Sequence, residues 1–299
     1  MSAPTTTHVT FIHGLANKPP TADLRRLWLE ALRFDRPDNR GFDLEADGVT
    51  ESFVYWADLF YEKPLSAKDY EAGGDELAAS IQGANSALPS DDWMAAMRRH
   101  YPEAGAGYEA PPPAAADAPV YERIPLPEPL KEALMAEFLR EAHAYLFNKD
   151  GLRDVIRERV LQSLHMAPPD TRHVIVSHSQ GTFIAYDVLT ACDACPPIAG
   201  FMTVGSPLGL DEVQDRLVWT RTEGFPAKLQ GDWVNVYDAY DLVSRPDPRL
   251  ANDFLKHGLP AVIDVAESNW GPWRHAATKY MKGKQLRTQL RRLCGRELP

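Results

Sequence analysis

Apolar positions along the chain fall into short β-branched runs separated by stretches of helical spacing. His8-Val9-Thr10-Phe11-Ile12, Phe53-Val54-Tyr55-Trp56, Val174-Ile175-Val176, Ile198 to Val204, Trp233 to Tyr237 and Ala261 to Val265 have strand composition and are bounded by turn residues. Leu24, Leu27, Trp28, Ala31 and Leu32 recur at helical spacing after a start at Thr21-Ala22-Asp23. A helix is expected from Thr182 to about Leu189. An amphipathic one runs from Leu152 to His165, opened by Asn148-Lys149-Asp150-Gly151 and ended by Pro168-Pro169. A terminal helix starts near Ala276. Strands alternating with helices predict an α/β fold, a mostly parallel sheet with helices on both faces. No internal repeat interrupts the pattern.

The alternation lapses from about Lys63 to Phe147. Ser66 to Ile81 and Asp91 to Arg99 fit short helices. Tyr101 to Pro129 is rich in Ala and Pro and contains Pro111-Pro112-Pro113, a composition that excludes a core strand or a long helix. From Pro129 to Phe147, Leu130, Leu134, Phe138, Leu139 and Leu146 return to helical register. Residues 63–147 are read as a cap or lid inserted into one domain spanning 1–299, since long loops in compact domains often serve as lids. The plainer alternative is a surface loop. Trp93, Met94, Met97, Tyr101 and Tyr108 suit an acyl site and a cap interior equally.

Composition narrows the classes. A chain of 299 residues suffices for one large α/β domain or two small ones. Its net charge of −10 argues against a nucleic-acid or anionic-membrane surface. Met1-Ser2-Ala3-Pro4-Thr5-Thr6-Thr7 lacks the basic and apolar regions of a signal peptide, and no run of about 18 apolar residues could span a bilayer. A cytoplasmic location without stable membrane insertion is expected, with signal-less secretion left open. Three cysteines make no disulfide framework. Cys192 and Cys195 lack the further ligands of a zinc site, so a plain loop and no metal are expected.

Candidate chemistry centres on Ser177-His178-Ser179-Gln180-Gly181, between an apolar strand and a helix. This is the G-x-S-x-G nucleophile elbow with Ser177 in the first glycine's place. The turn exposes the Ser179 hydroxyl, and the helix aims its positive end at the place where an oxyanion would form. A serine needs a base, usually a histidine oriented by a carboxylate. Where such an elbow occurs in α/β-hydrolases, the chain order is serine, acid, histidine. Two histidines stand late enough: His275, after the last strand, and His257, before it. His275 is preferred because loops at the carboxyl ends of parallel strands build sites. His178 is expected to pack or hydrogen-bond locally. Asp241 is the preferred acid, in a turn that Val243 can anchor; Asp238 is the alternative. An oxyanion hole needs two backbone N–H groups, for which Gln180 and Leu15 are the candidates.

Taken together, Phe11-Ile12-His13-Gly14, Ser177-His178-Ser179-Gln180-Gly181, Gly205-Ser206-Pro207-Leu208, Val236-Tyr237 through Asp241-Leu242-Val243, and His275 resemble the α/β-hydrolase superfamily on its lipase and esterase side. The resemblance covers 8–56 and 150–285, about half of the chain. It implies Ser179 as nucleophile, Asp241 as acid, His275 as base, and Leu15 and Gln180 as oxyanion donors. Ser177 departs from the usual glycine, and Leu242 from the proline common after the acid. The early first strand implies a reduced sheet of about six strands. The implied activity is cleavage of a small-molecule or lipid carboxylic ester through an acyl-enzyme, without a cofactor. An amidase, thioesterase or peptidase would share the triad. An inactive binding module would be expected to have lost a triad member.

Overall fold

The computed structural model describes residues 6–72, 91–101, 128–168, 170–217, 224–271 and 273–296. Its strands are β1 (Thr7–Ile12), β2 (Val49–Val54), β3 (Arg172–His178), β4 (Ile198–Val204), β5 (Leu229–Tyr237), β6 (Leu255–Lys256), β7 (Leu259–Pro260) and β8 (Val262–Ala266). Six of them form one sheet in the order β2-β1-β3-β4-β5-β8, every neighbour parallel. β6 and β7 make a small hairpin. The helices are α1 (Thr21–Arg33), α2 (Ala67–Ala72), α3 (Asp92–His100), α4 (Glu128–Leu146), α5 (Leu152–His165), α6 (Gln180–Ala191), α7 (Asp211–Gln214), α8 (Ala277–Met281) and α9 (Lys284–Leu293). The fold is α/β with a parallel six-stranded sheet flanked by helices, consistent with an α/β-hydrolase-like fold. No helix among the described residues is long and apolar enough to cross a membrane.

The sheet order reverses beside β1. The chain leaves β1 for β2 on one side, then returns to place β3 on the other. Ligands of open α/β sheets bind outside the carboxyl ends of the strands at such a switch point. The register pairs Ile12 with Ser177, which brings the loop after β1 alongside His178 and Ser179.

Several boundaries differ from the expected ones. β2 begins at Val49, not Phe53, because it is an edge strand whose first half is polar. α6 begins at Gln180, two residues before Thr182. The terminal helix is two helices. Glu267 at the end of β8 accepts the Gln285 and Leu286 N–H groups at 2.9 and 3.2 Å, which starts α9 anew. Of the expected helix Ser66–Ile81, Ala67–Ala72 is observed, and residues 73–81 lie outside the described residues. So do the Pro-rich residues 102–127.

The insertion shares the sheet's interior. Trp93, Met94, Met97, Phe138, Leu139 and Tyr145 belong to the same buried apolar cluster as β1 and β3. Trp93 packs edge-on to His143 and Phe147. Trp93, Met94 and Met97 are thus buried in the interior. Tyr108 lies outside the described residues.

A polar cluster lies within the sheet. His8 bonds Thr50 and Ser52 at 2.8 and 3.0 Å, and Thr10 bonds Ser52 and His173 at 2.9 and 2.8 Å. Burial lowers the His8 ring's pKa against the pull of Glu51, and burial together with His8 lowers that of His173 to about 4. A histidine with a depressed folded pKa stabilises the fold above its ordinary value, and that stability is lost as pH falls through the folded value. Thermal unfolding midpoints should therefore fall between pH 6.5 and about 4. His173→Gln should flatten that slope; parallel slopes in the two proteins would rule the cluster out as its cause.

Candidate active site

Ser179 sits between β3 and α6 with φ 55° and ψ −128°. A non-glycine residue held there is strained, a conformation that persists only when its surroundings impose it. Here the Ser179 N–H donates to Val204 O at 2.9 Å, and its carbonyl accepts the Thr182 N–H at 2.9 Å and the Thr182 hydroxyl at 2.6 Å. The turn is thus pinned to β4 on one side and to α6 on the other. Ser177 faces elsewhere, donating its hydroxyl to Met202 O at 3.2 Å.

His275, in the loop between β8 and α8, meets Ser179. Its Nε2 lies 2.7 Å from Ser179 Oγ, and its Nδ1 lies 2.8 Å from both carboxylate oxygens of Asp241. All three residues are fully buried, so the Ser179 hydroxyl is covered, not exposed as the elbow pattern predicts. Asp241 lies in the turn after β5, where Oδ1 accepts the Val243 N–H at 2.9 Å and Oδ2 accepts the Tyr280 hydroxyl at 2.8 Å. Burial alone would raise the Asp241 carboxyl, but His275, Tyr280 and the Val243 N–H outweigh it and hold it below its ordinary value. An ionised Asp241 keeps the His275 proton on Nδ1 and leaves Nε2 free to take one from Ser179. The Asp241–His275 contact needs Gly205. A Cβ there would stand 2.7 Å from Asp241 Oδ2 and 3.2 Å from His275 Nδ1, and the φ of +54° suits glycine in any case.

The alternative acid, Asp238, has other partners. Its Oδ1 accepts the Tyr240 N–H at 2.7 Å, and its Oδ2 accepts the Asn269 N–H at 2.6 Å and Arg274 Nη1 at 3.3 Å. It therefore ties the β5 turn to the loop that carries His275. The alternative base, His257, lies exposed in the hairpin turn between β6 and β7.

Two contributors escaped the sequence reading. His178 does more than pack locally: its Nε2–H donates to His275 O at 2.7 Å, and the two rings lie 4.6 Å apart. Burial, with His275 beside it, holds the His178 ring well below its ordinary value, so it stays neutral. Tyr280 accepts the Asp238 N–H at 2.9 Å while donating to Asp241. Both act across the fold on residues about 40 to 100 positions away, at spacings no local motif encodes.

The loop after β1 closes on the serine. A Cβ on Gly14 would stand 2.5 Å from Ser179 Cβ, and one on Gly181 would stand 2.5 Å from His13 O. Only glycine permits this approach of the loop to the elbow. His13 fixes the Gly14–Leu15 peptide. Its Nδ1–H donates to Gly14 O at 2.7 Å, and its Nε2 accepts the Trp56 N–H at 3.0 Å. Burial, reinforced by the Lys18 charge, lowers the His13 pKa well below its ordinary value, consistent with one donating and one accepting nitrogen. In a trans peptide the C=O and N–H point opposite ways, so holding Gly14 O also aims the Leu15 N–H.

Among the described residues, no group of three or more His, Cys, Asp or Glu is placed to hold a metal. Cys192 ends α6, the Cys195 N–H donates to its carbonyl at 3.0 Å, and both thiols are free. No family model matches the chain, and no curated protein matches it. Among solved structures, it is similar to an uncharacterized protein from Pseudomonas aeruginosa, at 10% identity and a TM-score of 0.35. That match covers 98% of this chain and 46% of the other, so the chain spans under half of that protein's length. It is also similar to RedJ, solved with a PEG molecule bound in its active site, at 14% identity and a TM-score of 0.32, covering 97% and 92% of the two chains. Likeness at these scores carries no argument about function.

Proposed function

We propose that this protein is a serine hydrolase of the α/β-hydrolase superfamily that cleaves a carboxylic ester. The observation that carries the reading is His275 bridging the Ser179 hydroxyl at 2.7 Å and the Asp241 carboxylate at 2.8 Å. In the proposed reaction, Ser179 Oγ attacks the ester carbonyl as its proton passes to His275 Nε2. The carbonyl oxygen becomes an oxyanion held by the Leu15 and Gln180 N–H groups. The tetrahedral species collapses, breaking the bond to the alcohol oxygen, which takes the proton from His275. Water, deprotonated by His275, then attacks the acyl-enzyme, and collapse releases the acid and restores Ser179. Asp241 stabilises the imidazolium in both halves.

The insertion is proposed as a cap on this site. Its Tyr101 hydroxyl donates to Val243 O at 2.7 Å beside the acid, and its Glu141 accepts the Ala16 N–H at 3.0 Å beside the oxyanion loop. The substrate is a small-molecule or lipid ester. A series of p-nitrophenyl esters of rising acyl length, run beside matched anilides and thioesters, tests the reading. Ester turnover above the others supports it; preference for the anilides would make the protein an amidase. Replacing residues 102–127 with a short Gly/Ser linker should leave the fold intact, because a Pro/Ala tract contributes little core. It should shift the acyl-length preference, most for long chains. An unchanged profile would reduce the segment to a surface loop.

A further inference from the structure

Lys18 and Glu141 carry charged groups into the interior, both fully buried. Burying either is costly without a specific partner. The two converge on one peptide. Lys18 Nζ donates to Leu15 O, and the Glu141 oxygens accept the Ala16 N–H at 3.0 and 3.2 Å. Leu15 O and the Ala16 N–H are the two ends of the Leu15–Ala16 peptide unit. A cation thus grips its oxygen and an anion its nitrogen. The peptide needs holding, since Ala16 has φ +71°, in the left-handed region that non-glycine residues avoid.

The grips are themselves anchored. Tyr61 donates its hydroxyl to Glu141 Oε1 at 2.6 Å and accepts Arg140 Nη2 at 3.1 Å. The Lys18 carbonyl accepts the Leu65 N–H at 3.0 Å, and Asn17 Nδ2 donates to Lys63 O at 2.9 Å. Glu141 lies on α4, and Lys63 and Leu65 begin the insertion, so both ends of the insertion hold this loop.

We propose that Glu141 and Lys18 are positioning residues that lock the Leu15–Ala16 peptide and thereby aim the Leu15 N–H at the oxyanion. This rests on the serine-hydrolase reading above. His13 sets the peptide on one side of Leu15, and the charged pair sets the one on the other. With both fixed, the Leu15 backbone has no freedom to turn its N–H away. The insertion, through Glu141, becomes part of what keeps the oxyanion hole formed.

The discriminating variant is the double substitution Lys18→Met with Glu141→Leu. It removes both charges together, so neither is left buried alone, but it also takes the partners from Leu15 O and the Ala16 N–H. Its thermal midpoint should fall, because those two backbone groups lose their partners, while kcat on p-nitrophenyl butyrate, measured well below that midpoint, falls roughly 10- to 100-fold, less than the 10²- to 10³-fold typical of losing an oxyanion donor outright. KM should change little, because the donor acts in the transition state. Fluorophosphonate inactivation should slow in step with kcat, since it builds negative charge at the same oxygen. Glu141→Gln, which keeps an acceptor for the Ala16 N–H, should recover part of the loss. A stable double variant with wild-type kcat overturns the proposal, as does a fall in stability with kcat unchanged. Ser179→Ala is run in parallel. Turnover that depends on Ser179 but ignores Lys18 and Glu141 sinks the clamp alone, whereas wild-type protein with no Ser179-dependent turnover sinks the hydrolase reading and the clamp with it.

Discussion

Ser179→Ala is expected to abolish both turnover of p-nitrophenyl esters and labelling by a fluorophosphonate probe. The Ser179 hydroxyl is what bonds His275 Nε2, and alanine removes it while keeping the backbone N–H and carbonyl that bond β4 and α6. Loss of a triad member typically leaves only the catalysis of binding and the oxyanion hole, about 10³- to 10⁴-fold over water. Ser177 is the internal control. Its hydroxyl is committed to Met202 O within the sheet, so it should take no label in either protein. Ser179 is fully buried, so a compact alkyl fluorophosphonate should react faster than a bulky tagged one. Labelling at Ser177, or an alanine variant with near wild-type activity, would remove the proposed nucleophile and favour a non-catalytic binding module.

The sheet was legible where strands are buried on both faces. β1 and β3 are buried along almost their whole length, and Val9, Phe11 and Ile12 in one and Val174, Ile175 and Val176 in the other announce them. β2 was half hidden, since Thr50 and Ser52 spend their hydroxyls on His8 and Thr10 across the sheet. No one-dimensional pattern distinguishes such a pair from a polar loop. The elbow, Gly14 and Gly181 were legible because close backbone approach leaves a local mark, the missing side chain. The supports of the triad leave none. His178 holds the His275 carbonyl, and Tyr280 spans from Asp241 to the Asp238 N–H, by contacts between elements far apart along the chain. Lys18 and Glu141 resemble ordinary surface charges in sequence, and only their convergence on one peptide sets them apart.

Asp241 and Asp238 differ by three positions, and their asparagine variants should differ far more in activity. An ionised Asp241 accepts from three donors at once: His275 Nδ1–H, the Val243 N–H and the Tyr280 hydroxyl. Asparagine supplies one oxygen and one NH₂. With the oxygen on the Val243 N–H, which can only donate, the NH₂ faces Tyr280 and His275. That NH₂ favours a bare Nδ1, which moves the histidine proton to Nε2 and blocks acceptance from Ser179. The wrong tautomer costs about 10⁴ in kcat where it has been measured. Asp241→Asn should therefore remain folded and lose activity on that scale. Asp238→Asn keeps an oxygen for the Asn269 N–H or the Tyr240 N–H but not for both, and weakens the ion pair to Arg274. Burial raises the Asp238 carboxyl, with the Tyr240 and Asn269 N–H groups and Arg274 opposing it, so neutralising this side chain is the lesser change. Its consequence is a looser loop around His275, a misplacement of the kind that costs up to about 10²-fold. Steady-state kinetics on the two purified variants, matched for thermal midpoint, separate the roles. The reverse ranking would make Asp238 the acid. Small and equal losses would take the role from both and send the search to Asp211, beyond β4.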